Sequence, residues 1–154
     1  PAMRSGFYGF AAAAARAGLT LDSDLAHMRR LQVRLEAGLS AGLPEVHVYG
    51  ASAQRLPNTS CLRFGTLDAE QVLGKLERAG VVAASGAACT AGANLPSHVL
   101  TAMGEDAVHA RAGVRLSLGR ETRTEDVDRA VDAAVRALGP LLESTCVTAR
   151  SVAA

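Results

Sequence analysis

Two residues in this chain point to chemistry. Cys89 stands in the run "SGAACTAG" (residues 85–92), among residues small enough to leave a thiol sterically open. A thiol is a nucleophile only as thiolate, and a Gly-rich loop lets one swing toward a substrate. The same position also suits a packing role, because Cys is among the most buried residue types and behaves as a small hydrophobe. Arg115 lies in "GVRLSLG", where alternation turns it away from Val114, Leu116 and Leu118. A guanidinium on a rigid strand can hold a carboxylate through two parallel hydrogen bonds, although a solvated surface arginine fits the same pattern. Cys61, inside a strand pattern, and Cys146, near the C-terminus, read as structural or incidental. His27, His47, His98 and His109 have no metal-motif spacing and read as structural. Lys75, the single lysine, falls on the exposed side of a helix pattern, which suits a solvated ammonium.

The elements that must position these groups follow from periodicity and caps. Residues 7–17 are predicted helical, ending at Gly18, with Asp22 or Ser23 as the cap of a second helix. In that second helix Met28, Leu31, Leu35 and Leu39 share one face. "EVHVYG" alternates as a strand, with Val46 and Val48 on one side and Glu45, His47 and Tyr49 on the other. "NTSCLRFG" repeats the pattern with Leu62 and Phe64 inward. "LDAEQVLGKLERAG" gives a short helix capped by Asp68, with Gln71 at the reciprocal position, and stopped by Gly80. "VVAAS" then reads as a near-continuous apolar strand leading into the Cys89 loop. Ser97 caps a brief helix ending near Gly104, and "EDAVHARAG" adds a further turn or two. The last helix starts at a capping box of Thr122 and Glu125 and runs along Val127, Val131, Val135, Leu138 and Leu142. Beyond about Glu143 no pattern continues. The result is an α+β arrangement, a small sheet covered by helices.

Composition narrows the partners. The chain has 154 residues, a formal net charge of +1 and 49% hydrophobic residues, enough for one core. Three Phe, two Tyr and no Trp supply no stacking platform for bases, and the dispersed arginines form no phosphate-tracking or membrane patch. Nucleic acid and membrane are therefore not expected as partners. Three widely spaced cysteines, with no CxxC pair, fit a reducing, cytoplasmic setting without a disulfide framework or structural zinc.

Three segments, taken together, resemble the cysteine desulfurases of the class V aminotransferase type: "RLPNTSCLRF" (55–64), "VVAASGAACTAGANLPSHVLTAMG" (81–104) and "GVRLSLGRETRTEDVDRAV" (113–131). They occur in that family's order and at its spacing. The resemblance implies the C-terminal small domain of a fold type I pyridoxal-phosphate transferase. Residues 21–143 would form that domain, 1–20 a remnant of the large-domain end with its connecting helix, and 144–154 a tail. It further implies conversion of L-cysteine to L-alanine, with sulfur passing as a persulfide to Cys89, for iron-sulfur cluster or other cofactor synthesis. Arg115 matches the arginine that holds the substrate carboxylate, and Asn58 matches the polar residue of "LPNT" near the substrate. The cofactor, pyridoxal phosphate, is held in that family by a lysine, a histidine and an aspartate of a preceding large domain. Nothing here matches that domain, and Lys75 lies outside the lysine motif. "MRSG" (3–6) resembles the end of that domain, with Phe7 where the family's threonine touches phosphate. The chain alone is thus expected to bind no cofactor and to be inactive. The resemblance implies cysteine as substrate, a sulfur-acceptor or scaffold protein as partner, and homodimerisation or pairing with a cofactor-bearing domain. Selenocysteine lyase, or a non-enzymatic domain that accepts persulfide or dimerises, are the alternative readings.

Overall fold

The computed structural model describes residues 2–85 and 95–152, with side chains over 6–85 and 95–144. Four antiparallel strands form one sheet in the order β1-β2-β4-β3: β1 (Val46–Val48), β2 (Thr59–Phe64), β3 (Ala84–Ser85) and β4 (Val114–Ser117). Helices α1 (Ala2–Gly42), α2 (Ala69–Arg78) and α5 (Thr124–Val152) pack on one face. The short α3 (His98–Ala102) and α4 (Ala107–Arg111) lie over a corner of the other.

The apolar stripes read from the sequence form the core. Leu31, Leu35 and Leu39 of α1 meet Leu62 and Phe64 of β2, Val114 of β4, and Val127 and Leu138 of α5, all buried. Helices α1 and α5 run parallel, since Arg34 pairs with Asp128, Gly38 faces Val131 and Gly42 faces Val135. A Cβ at Gly42 would come within 2.5 Å of Val135 Cγ2, so the missing side chain is what lets the helices approach. At the end of α2, Gly80 (φ 83°) donates to Glu77 O and Val81 to Leu76 O, the paired closing bonds of a Schellman motif.

Several expectations are corrected. Helix α1 does not stop at Gly18 but runs unbroken from Ala2 to Gly42. Of the two cap candidates, Ser23 bonds within the helix, its Oγ donating to Thr20 O, and the neighbouring Thr20 Oγ1 bonds Arg16 O and Asp24 Oδ2. One glycine costs a helix only about 1 kcal/mol, which the Ala-rich flank offsets. The "VVAAS" strand shrinks to Ala84–Ser85, because the Val81 amide closes α2 and Val82 is 89% exposed. The α5 capping bond falls one residue later than predicted: Arg123 N donates to Asp126 Oδ2, while Thr122 Oγ1 accepts from Gly119 N. Helix α5 also continues through Val152 instead of ending near Glu143. Tyr49, placed with the polar side of β1, is buried against Leu100 and Ala110, beneath α3 and α4.

Candidate functional site

The sheet face away from the large core carries the chemistry-bearing side chains. In the antiparallel registers Arg115 of β4 lies between Cys61 of β2 and Ala84 of β3, and Ser117 lies opposite Thr59. Residues opposite one another share a face, so Thr59, Cys61, Ala84, Arg115 and Ser117 form one surface. The β4 burial alternates, Val114 and Leu116 buried and Arg115 and Ser117 exposed, as the sequence pattern predicts. Among the described residues, the Arg115 guanidinium has no hydrogen bond or ion pair. A rigid strand thus presents a fork of donors without a bound carboxylate of its own.

Asn58 precedes β2 and is half-buried, and its carbonyl accepts from Leu118 N at 2.7 Å. Leu118 is three residues along from Arg115, a separation of about 10 Å at the ordinary strand rise. Asn58 thus sits in the turn leading into β2, beside Leu118, and among the described residues no hydrogen bond joins it to Arg115. Cys89 lies outside the described residues. Cys61 is half-buried beside Arg115; burial raises its thiol above the usual range, and the nearby guanidinium only partly opposes this. A raised thiol pKa disfavours the nucleophilic thiolate.

Three of the four histidines have partners: His27 Nε2 lies 2.8 Å from Thr122 O, His47 packs edge-on to Tyr49, and His109 Nδ1 is 3.1 Å from Asp106 Oδ2. Among the described residues, no group of three or more His, Cys, Asp or Glu could hold a metal. Tyr49 donates its hydroxyl to His109 O at 2.9 Å, and burial, helped by Glu105, pushes its phenol up to about 12.

Sequence reasoning missed a polar network that ties the segment before β2 to α1. Glu36 accepts from both guanidinium nitrogens of Arg55 (2.7 and 3.0 Å) and from Ser60 Oγ (2.6 Å). Burial pushes the Glu36 carboxyl up, but these hydrogen bonds outweigh it and hold the group below its ordinary range. Gln32, 1% exposed, donates to Leu56 O and Thr59 O. A signal existed: Gln32 is four residues after Met28 and three before Leu35, on the apolar stripe itself.

A family model described as "Aminotransferase class-V" matches residues 2–130, and the chain belongs to that family. Within it, the chain is 40% identical over 116 residues to the cysteine desulfurase of Cereibacter sphaeroides, covering 75% of this chain and 30% of that one. It is 38% identical over 123 residues to the cysteine desulfurase NifS of Azotobacter vinelandii, covering 80% of this chain and 31% of that one. Among solved structures, the NifS-like protein of Rickettsia africae ESF-5 matches with a TM-score of 0.70 at 27% identity, over 81% of this chain and 32% of that one. The chain therefore spans about 30% of the length of the curated relatives it matches. The α+β architecture is that of the NifS-like proteins.

Pyridoxal phosphate is the general cofactor of this family. Lys75, the only lysine of the sequence, sits in α2, packed on the core face of the sheet, whereas Arg115 is on the opposite face. Its place in the fold does not fit that of a cofactor lysine serving the Arg115 face.

Proposed function

We propose that this chain is the small domain, about residues 21–143, of a cysteine desulfurase, supplying the carboxylate anchor and the sulfur-accepting thiol. The observation that carries the reading is Arg115: exposed at the middle of a rigid sheet, and free of any ion pair among the described residues. In this reading Arg115 holds the carboxylate of L-cysteine through paired hydrogen bonds, and Asn58 contributes a polar contact from the turn leading into β2. Cys89 takes the substrate sulfur as a persulfide. Ser85, paired with Val114 beside Arg115, is four residues before Cys89, so the covalent chain keeps that thiol's Cα within about 14 Å of Ser85.

Because Lys75 faces the wrong side of the sheet, we infer that a separate unit supplies the cofactor and that the chain by itself does not release alanine. A scaffold or acceptor protein then removes the sulfur from Cys89. The lysine placement also favours a second reading, a domain that accepts persulfide from a donor without generating it.

The test supplies purified chain with L-cysteine and pyridoxal phosphate, and separately with an active cysteine desulfurase plus L-cysteine. The first mixture is expected to give no alanine. In the second, Cys89 is expected to gain one sulfur atom by mass spectrometry, and Cys89→Ser none. Alanine formed by the chain alone and lost in Cys89→Ser would overturn the division of labour. A chain that never acquires sulfur at Cys89 would overturn the assignment of the thiol.

A further inference from the structure

The segment Arg55–Thr59 enters β2 through a turn at Pro57 and Asn58, and a residue before proline is disfavoured from helical backbone, so the stretch does not satisfy its carbonyls as a helix would. Side chains of α1 supply the donors instead. Arg29 Nη2 donates to Arg55 O at 2.9 Å, and Gln32 Nε2 donates to Leu56 O at 3.0 Å and to Thr59 O at 2.6 Å. Gln32 Oε1 in turn accepts from Arg29 Nη1 at 3.2 Å. Both hydrogens of the Gln32 amide and its oxygen are therefore used, as a buried amide requires.

The two carbonyls held by Gln32 lie on either side of Asn58, and the carbonyl of Asn58 itself is held by Leu118 N of the chain leaving β4. We propose that Gln32 is a positioning residue: by clamping Leu56 and Thr59 it fixes the backbone of Asn58 relative to Arg115. The inference rests on the reading of Asn58 and Arg115 as parts of an amino-acid site. A residue whose only task was packing would be apolar here, because position 32 lies on the stripe of Leu31, Leu35 and Leu39 and is 1% exposed. Among the described residues, the Gln32 amide bonds to Arg29 and to the segment that carries Asn58, and to no residue of the large core.

Gln32→Met keeps the volume and removes both donors. It is compared with Val72→Ala, a truncation in α2 on the far side of the core. Two readouts are taken where the variants are folded: hydrogen exchange of the Leu118 amide, and L-alanine affinity by calorimetric titration. Gln32→Met is expected to speed Leu118 exchange by tenfold or more relative to Val72→Ala and to weaken L-alanine about tenfold, since small misplacements of a binding group cost that much or more. Leu118 exchange no faster than in Val72→Ala overturns the proposal. Unchanged L-alanine affinity in Gln32→Met, with affinity lost in Asn58→Ala, also overturns it and leaves the site reading intact. Unchanged affinity in Asn58→Ala, or no binding by the unaltered chain, instead sinks the site reading, and the clamp is then judged on Leu118 exchange alone. If Gln32→Met does not fold, Leu118 exchange in the unaltered chain decides: exchange only through global unfolding supports the clamp, and exchange through local opening overturns it.

Discussion

The two faces of the sheet use the same four strands for opposite purposes. One face lies under α1, α2 and α5 and is apolar: Leu62, Phe64, Val114 and Leu116 are buried against Leu39, Leu76 and Leu138. The other carries Thr59, Cys61, Arg115 and Ser117 and, among the described residues, is covered at one corner by Tyr49, Leu100 and Ala110. Adjacent residues of β4 therefore answer to different demands. Val114 excludes water from the core, and Arg115 keeps a charge where a ligand can reach it. The apolar core thus lies on one side of the sheet, and the other is the side on which we propose binding, with the Glu36 and Gln32 network at their border.

The contrast breaks first if the core face is not where the stability lies. Leu138→Ala, at a position with no exposed surface, is expected to lower the unfolding free energy by about 3 kcal/mol in denaturant titration. A loss below about 1 kcal/mol would mean that the cavity collapses and that the α5 packing is looser than described.

The border network comes next. Glu36→Gln keeps the shape but removes the charge shared by Arg55 and Ser60, and is expected to cost about 1 to 2 kcal/mol at neutral pH. Its pH dependence sharpens the point. Folding lowers the Glu36 pKa from its ordinary 4.5, so the unfolded chain takes up the proton first as acid is added. The contribution is present above about 4.5 and is lost as pH falls through the lower folded value. The stability gap between the natural chain and Glu36→Gln should narrow in that window; a gap constant with pH would show that the charge does no stabilising there.

The smallest effect on stability belongs to the binding face. Arg115→Ala is expected to change unfolding free energy by no more than about 0.5 kcal/mol, as for an exposed residue without partners. L-Alanine binding should nevertheless disappear in a calorimetric or resonance titration. A large destabilisation would move Arg115 from ligand holding to structural support.

Most of the core and part of the site were legible in the residue order. Leu31, Leu35 and Leu39 announce a helix face, Asp68 and Gly80 its neighbour's ends, and the alternation around Arg115 places that side chain opposite the core. The order of the "LPNT", "SGAACTAG" and "GVRLSLG" segments announced the family that the comparison found. These signals are local: caps, periods of 3.6 and 2, and short motifs act within one stretch of chain. Cys89 and its loop lie outside the described residues, so that part of the site stands on the sequence alone.

Tertiary structure decided what depends on a distant partner. The brevity of β3 came from competition for the Val81 amide, which closes α2 rather than joining the ladder. Tyr49 was buried because α3 and α4, some fifty residues on, fold over it. Gln32 tolerates burial only because the carbonyls of Leu56 and Thr59 arrive to meet it. A sequence determines where apolar surface recurs along a segment; whether a polar group or a strand edge finds its partner is settled only when remote segments meet, because an unpaired buried group is costly and a paired one is not.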